Sequence, residues 1–387
     1  MPVKNRFAEL LPEITAWRRD FHENPELLYE VHRTAGIVAE KLREFGCDEV
    51  VEGIGRTGVV AVIRGRQNDS GKVIGLRADM DALPINETTG AAHASKTPGA
   101  MHACGHDGHT AMLLGAAKYL AETRNFDGTA VIIFQPAEEG GAGARAMCED
   151  GMLERFGIQE VYGMHNMPGF PVGHFAIREG AFFAATDTFR IKLEGKGGHA
   201  AKPQETVDTT VVAAQLVTAL QTVASRNHDP VKNLVVSVTS FRTESEAFNV
   251  IPQRVELKGT VRTMDPETRA LAETRIKALA TGVAGAFGAT AQVDYMRGYP
   301  VMVNAPEQTA FAAEVATKVS GGCQTAPLVM GGEDFAFMLE ERPGAYILVG
   351  NGNTAQVHHP DYDFDDDAIP AGCSWWAEIV EQRMPAA

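Results

Sequence analysis

Apolar and polar positions repeat with two different periods along this chain, and where the period changes marks its organisation. Residues 7–44 carry apolar positions at helical spacing, interrupted at Asn24-Pro25. Residues 57–64 (TGVVAVIR) and 72–78 (KVIGLRA) are short, β-branched runs set between glycine-containing turns, the pattern of strands. Residues 107–120 return to helical spacing, with Asp107 near the end that favours negative charge. Residues 129–135 (TAVIIFQ) are continuously apolar and stop at a proline, which predicts a buried strand; residues 161–164 predict another. Strands alternating with helices predict an α/β sheet with parallel pairs, whose functional residues gather beyond the carboxyl ends of the strands. Asp79 and Asp81, Glu138 and Glu139, and His165 all follow predicted strands.

The pattern changes near Ala185. Residues 187–194 (DTFRIKLE) alternate one by one, as a strand covered on one face does. Residues 206–225 predict a helix, 234–241 and 254–262 strands, 266–287 a helix opened by Asp265-Pro266, and 290–295 a last strand. The order βαββαβ predicts a split βαβ sandwich. Residues 185–296 therefore read as an inserted α+β, ferredoxin-like domain with two helices on one face of an antiparallel sheet. Residues 1–184 and 297–387 form the other domain, re-entered through helix 306–319, helix 333–339, strand 345–349 and helix 366–383. A length of 387 residues suits two cores.

Composition narrows the function. With 44% apolar and 22% charged residues the chain is globular, and its formal charge of -15 argues against nucleic acid and against anionic membrane surfaces. A small anionic substrate stays open, since a few local arginines suffice for it. The cysteines at 47, 104, 148, 323 and 373 make no C-x-x-C pair and no disulfide framework, which fits a reducing cytoplasm. No run of about 18 apolar residues predicts a membrane span. The opening Met1-Pro2-Val3-Lys4-Asn5-Arg6 leads into mixed polar and apolar residues, which reads as no secretory signal.

The candidate chemistry lies in five places. Met101-His102-Ala103-Cys104-Gly105-His106-Asp107-Gly108-His109 packs one thiol and three imidazoles into a short stretch, side chains that hold borderline-soft cations. His102 and His109 are not counted as ligands. Gln135-Pro136-Ala137-Glu138-Glu139-Gly140-Gly141 places two carboxylates at the end of a buried strand, where like charges are costly unless a cation is near. Gly163-Met164-His165-Asn166 adds an imidazole on the next strand, and Val357-His358-His359-Pro360 adds a histidine pair near the C-terminus. Together these supply enough donors for two metals. Gly195-Lys196-Gly197-Gly198-His199 sets a histidine in a glycine loop, suited to polarising a carbonyl or to a mobile turn. Phe182, Phe183 and Phe248 are candidates to line an acyl pocket.

These motifs, in this order, resemble the metal-dependent amidohydrolases of the aminoacylase, hippurate hydrolase and indole-acetyl-amino-acid hydrolase type, relatives of carboxypeptidase G. The likeness covers nearly the whole chain. It also takes in Trp17-Arg18-Arg19-Asp20-Phe21-His22, Leu76-Arg77-Ala78-Asp79-Met80-Asp81, Asn249-Val250-Ile251-Pro252, Gly259-Thr260-Val261-Arg262 and Gly332-Glu333-Asp334-Phe335. The resemblance implies a zinc-aminopeptidase-like α/β catalytic domain with a mixed central sheet, and a lid or dimerisation role for the insert. It implies two divalent cations (Zn²⁺ or Mn²⁺, with Co²⁺ or Ni²⁺ as alternatives) held by Cys104, His106, Glu139, His165 and the H-x-P histidine, here His358. It makes Glu138 the general base, His199 a residue that reaches a partner subunit's active site, and Asn249 and Arg262 substrate binders. Asp79 would orient a ligand from behind. The implied reaction is hydrolysis of an N-acyl amino acid by a homodimer or dimer of dimers. Two rivals are a thiol hydrolase using Cys104 with His106 as base, and a non-catalytic metal-buffering or ligand-sensing protein. An intact Glu138 disfavours the second, because a binding protein needs no base.

Overall fold

The computed structural model describes residues 5–386; residues 1–4, where the reading of the N-terminus as lacking a secretory signal begins, lie outside them. Helices α1 (Asn5–Glu23) and α2 (His32–Glu44) open the chain, broken around Asn24-Pro25 as expected. Strands β1 (Glu49–Ile54), β2 (Gly58–Arg64) and β3 (Val73–Asp79) follow, then α3 (His106–Thr123), β4 (Thr129–Gln135), β5 (Glu160–Met167) and β6 (Phe175–Ile177). Next come β7 (Ala185–Glu194), α4 (Thr209–Thr222), β8 (Leu234–Thr243), β9 (Arg254–Thr263), α5 (Pro266–Ala286) and β10 (Thr290–Arg297). The chain ends with α6 (Pro306–Ser320), β11 (Cys323–Thr325), β12 (Gly344–Gly350) and α7 (Ile369–Arg383). It forms two compact units: Met1–Gly180, Val303–Pro327 and Asp334–Ala387 make the first, and Ala181–Met302 with Leu328–Glu333 the second. No helix is long and apolar enough to cross a membrane among the described residues.

The first unit is built on an eight-stranded mixed sheet in the order β1-β2-β4-β3-β5-β12-β6-β11. Its centre is parallel, β4 with β3, β3 with β5 and β5 with β12, while β1, β2 and β4 run antiparallel in turn. The central strands are largely buried because both faces are covered; β12 is buried at every position, and the charged Arg77 and Asp79 of β3 are buried with it. On one face α3 packs against α1 and α7, and Phe7, Leu113, Phe126, Trp375 and Trp376 belong to one buried cluster. Since β3, β4 and β5 point the same way, Asp79, the loop after Gln135 and the end of β5 emerge on one edge of the sheet.

Several boundaries differ from the sequence pattern, each for a local reason. β1 escapes the pattern because it is a half-exposed outer strand, and β6 and β11 because they are only three residues each. β5 runs on to Met167, so His165 sits within the strand rather than after it. The helix expected over 333–339 spans Ala336–Glu341, since Asp334 turns inward to Arg77 and Gln135. α4 begins at Thr209 because the Asp208 carboxylate accepts from the Thr210 and Val211 N–H groups.

The second unit follows the βαββαβ order, with an antiparallel sheet arranged β8-β9-β7-β10. Ile191 and Leu193 of β7 and Leu257 of β9 face Leu216, Leu220 and Ile276 of α4 and α5, while Lys192 and Glu194 are exposed.

Between α1 and α3 lies a buried charged cluster. The His22 Nδ1 is 2.8 Å from Asp107 Oδ2 and its Nε2 is 3.3 Å from Glu87 Oε2. Burial pulls the His22 pKa down, but Asp107 and then Glu87 outweigh it and push it up to about 9. A folded-state pKa above the unfolded value of about 6.5 gives stability that is full below pH 6.5 and disappears as pH rises through 9, worth at most about 3 kcal/mol. The melting-temperature gap between wild type and His22→Gln should therefore narrow across that window. A gap that is constant from pH 6 to 9.5 would remove the charged role of His22.

Candidate metal centre

Five segments of the first unit supply the donors. Asp79 ends β3, and Asp81 lies two residues on. Cys104 and His106 flank Gly105, whose φ of +87° turns the chain into α3. Glu138 and Glu139 follow β4, His165 lies in β5, and His358 sits in the loop between β12 and α7, its N–H bonded to Ala103 O at 2.7 Å. His358 takes a φ of +67°, a left-handed conformation uncommon for a residue other than glycine and kept here by that bond and its neighbours.

The donor atoms converge. Cys104 Sγ is 3.4 Å from His165 Nε2. Glu139 Oε1 is 3.3 Å from His358 Nε2 and 3.9 Å from His106 Nε2. Ligand atoms of Cys104, His106 and His165 all lie within 4.8 Å of one another, as do those of Cys104, Glu139 and His358, and those of His106, Glu138 and Glu139. Cys104, His106 and Glu139 each belong to more than one of these groups, so the donors are numerous enough to hold a pair of cations. His106 Nε2 and Glu139 Oε1 are buried without a hydrogen-bond partner, which suits cation ligands, while His106 Nδ1 lies 3.5 Å from Asp81 Oδ1. His359 is turned away, its Nδ1 accepting from the Asp361 N–H at 3.1 Å.

The surrounding bonds fix which nitrogens are available. His165 Nδ1 donates to Asn166 O, leaving Nε2 as the lone pair facing Cys104. Burial holds the His165 pKa well below its ordinary value, which favours the neutral imidazole that a ligand must be. His109 is used up: Nε2 accepts from the Asn166 N–H at 2.9 Å, so Nδ1 carries the proton given to Asp79 Oδ1 at 2.7 Å. Asp79 also lies 3.7 Å from His106 Nε2 and is bonded to Arg77 at 2.7 Å. Burial raises the Asp79 pKa, but His106, Arg77 and His109 overcome it and keep the group well below the usual carboxylate range. Asp81 was not among the candidate site residues, yet its two oxygens accept from the Glu138 and Glu139 N–H groups at 2.9 and 3.1 Å. The Asp-x-Asp spacing at a strand end was the signal for it.

The candidates His199, Asn249 and Arg262, and the three phenylalanines, lie in the second unit. His199 pairs with Val250 in a short antiparallel ladder, Gly198–His199 with Val250–Ile251, and Asn249 O accepts from the Ala200 N–H at 3.0 Å, so His199 and Asn249 are neighbours. Both are exposed. Arg262, on β9, donates to Val261 O at 3.1 Å and has no carboxylate within ion-pair distance among the described residues. Phe182 and Phe183 are buried against each other at 4.9 Å, whereas Phe248 is fully exposed.

The model of peptidase family M20/M25/M40 matches residues 75–382. Hippurate hydrolase of Campylobacter jejuni is 43% identical over 376 residues, covering 96% of this chain and 97% of that protein. The chain belongs to peptidase family M20/M25/M40. N-acetylcysteine deacetylase of Bacillus subtilis is 40% identical, with 94% of each chain covered. The crystal structure of a dinuclear metal-binding M20 peptidase from Bacillus subtilis superposes with a TM-score of 0.85 at 35% identity, covering 98% of this chain and 100% of that one. The present M20 family member is a metal-dependent amidohydrolase with the α/β fold and mixed central sheet expected of it. Its Cys104 is poorly suited to the rival role of nucleophile. Burial, then Glu139, Glu138 and Asp79, push the thiol well above its ordinary pKa, the direction opposite to activation.

Proposed function

We propose that this enzyme hydrolyses the amide bond of N-acyl amino acids, in the manner of hippurate hydrolase and aminoacylase, releasing a carboxylate and a free amino acid. The observation that carries the proposal is the convergence of Cys104, His106, Glu139, His165 and His358 beside Glu138. Hippurate hydrolase and N-acetylcysteine deacetylase are both named for substrates of this class, which supports the substrate assignment.

Those five residues would hold two divalent cations, Zn²⁺ or Mn²⁺ first, Co²⁺ or Ni²⁺ as alternatives; a thiolate favours zinc. Bound there, such a pair supplies a Lewis acid for the amide carbonyl and acidifies water. Glu138 is the general base: it takes the proton of the attacking water and returns it to the leaving amine nitrogen. Asp81 supports this division of labour, because it holds the backbones of Glu138 and Glu139 together while consecutive side chains diverge. Asp79 orients the imidazoles behind the centre. Arg262, with no carboxylate at ion-pair distance among the described residues, would grip the substrate carboxylate, and His199 with Asn249 the carbonyl oxygen.

The working unit in this proposal is a homodimer or dimer of dimers joined through the inserted domain, residues 185–296, which also serves as the lid. In support, β8 is an outer strand of its sheet and exposes Val235 and Phe241. Five free cysteines fit a cytoplasmic location.

The test is turnover of hippurate, N-acetylcysteine and further N-acyl amino acids by chelator-stripped protein given back Mn²⁺, Zn²⁺, Co²⁺ or Ni²⁺. Activity is expected only with metal. Inertness toward the whole panel, or full activity of the stripped protein, would overturn the proposal. Cys104→Ser should leave less than the wild-type cation content per chain by elemental analysis; unchanged content removes Cys104 as a ligand.

A further inference from the structure

One buried side chain bonds to the segments that carry Cys104 and His165, and to the loop after His358, without being one of the donors. Asn166 is fully buried beside His165. Its Nδ2 donates to Cys104 O at 2.6 Å and to His109 Nε2 at 3.0 Å, and its Oδ1 accepts from the Tyr362 hydroxyl at 2.7 Å. Its backbone N–H donates to His109 Nε2, and its carbonyl accepts from His165 Nδ1. Both amide hydrogens and the amide oxygen are therefore used, so the orientation of the side chain is determined by its partners.

We infer that Asn166 is the positioning residue that aims Cys104 and His165 at one cation and, through Tyr362, ties the loop carrying His358 to them. The inference rests on the ligand assignment proposed above. The reach of the network supports it. Through His109 the bonds continue to Asp79, which lies against His106. Tyr362 is fully buried, and its N–H bonds to His359 O at 3.0 Å, so the hydroxyl contact fixes the turn that follows His358. The junction has no slack. A Cβ on Gly105 would stand 2.2 Å from Asn166 Nδ2 and 2.5 Å from the Tyr362 hydroxyl. Glycine between Cys104 and His106 thus serves the close approach of these two side chains as well as its positive φ. Hydrogen bonds to groups that orient a ligand set both its direction and its affinity for the metal.

Asn166→Asp keeps the size of the side chain but turns the Nδ2 donor into an oxygen facing Cys104 O and the His109 Nε2 lone pair. With the full chain loaded with Co²⁺, the readouts are the thiolate-to-cobalt absorption band, cation affinity by chelator competition, and thermal melting. Asn166→Asp is expected to bind about 10–100-fold more weakly and to shift or lose the band. Tyr362→Phe, which removes one hydroxyl, should move both in the same direction by less, and it carries the test if Asn166→Asp does not fold. An unchanged band and affinity in the folded variants overturn the inference. Cys104→Ser separates the two levels. If it leaves the wild-type band intact, the ligand assignment fails and takes the inference with it; if it abolishes the band while Asn166→Asp and Tyr362→Phe do not alter it, only the inference fails.

Discussion

Glu138→Gln should lower kcat by about 10²–10⁴ while the cation content per chain stays at the wild-type value. The side chain keeps its shape, and the Asp81 oxygen that accepts from the residue 138 N–H stays in place, so the loop has no reason to move. What is lost is the oxygen that takes a proton from water and hands it to the leaving amine. An effect confined to the transition state lowers kcat and kcat/KM together and leaves KM unchanged. The neighbouring Glu139→Gln should behave differently, because Glu139 Oε1 lies against His358 and His106 and the change removes a cation donor. Activity and cation content should fall together there. Near-wild-type turnover of Glu138→Gln would eliminate Glu138 as the base, and loss of cation from it would make Glu138 a ligand instead.

The contrast between these glutamates shows how far local pattern reaches. Strands β2 and β4 were legible because burial on both faces leaves a run of β-branched and other apolar residues, and the second unit because covering one face leaves strict alternation. The donors were legible because cysteine, histidine and glutamate gathered at strand ends are hard to explain as packing. The bonds that orient them were not. Asn166, Tyr362 and Arg77 are ordinary residue types whose meaning depends on partners as distant in sequence as Tyr362 is from Asn166. His109 shows the same limit from the other side. Its place in the densest motif invites a ligand role, and only the Asn166 N–H on its Nε2 takes that nitrogen out of use. Residue chemistry and spacing therefore expose the donors, while tautomer and aim are set by tertiary hydrogen bonds that leave no local period.

Arg77→Met should cost about 3–5 kcal/mol of stability, the scale for stripping the partner from a buried charge. Arg77 is fully buried, with Nη1 2.7 Å from Asp79 Oδ2 and Nη2 3.0 Å from Asp334 Oδ1, both acids equally buried. Methionine fills much of the volume but offers no charge, so two desolvated carboxylates lose their shared guanidinium. The melting temperature should drop by roughly 10 °C. The damage should also reach the metal centre from two sides. Asp79 holds His109, and Asp334 accepts from the Ala144 N–H and from Gln135 Nε2, beyond and before the Glu138-Glu139 turn. Arg77→Lys keeps the charge but not the fork that meets both acids and Gln135 Oε1 at 2.7 Å, and it should fall between wild type and Arg77→Met. If Arg77→Met melts within a degree or two of wild type with its cations in place, the acids are not held by this guanidinium, and the precision of the centre must come from the Asn166 side alone.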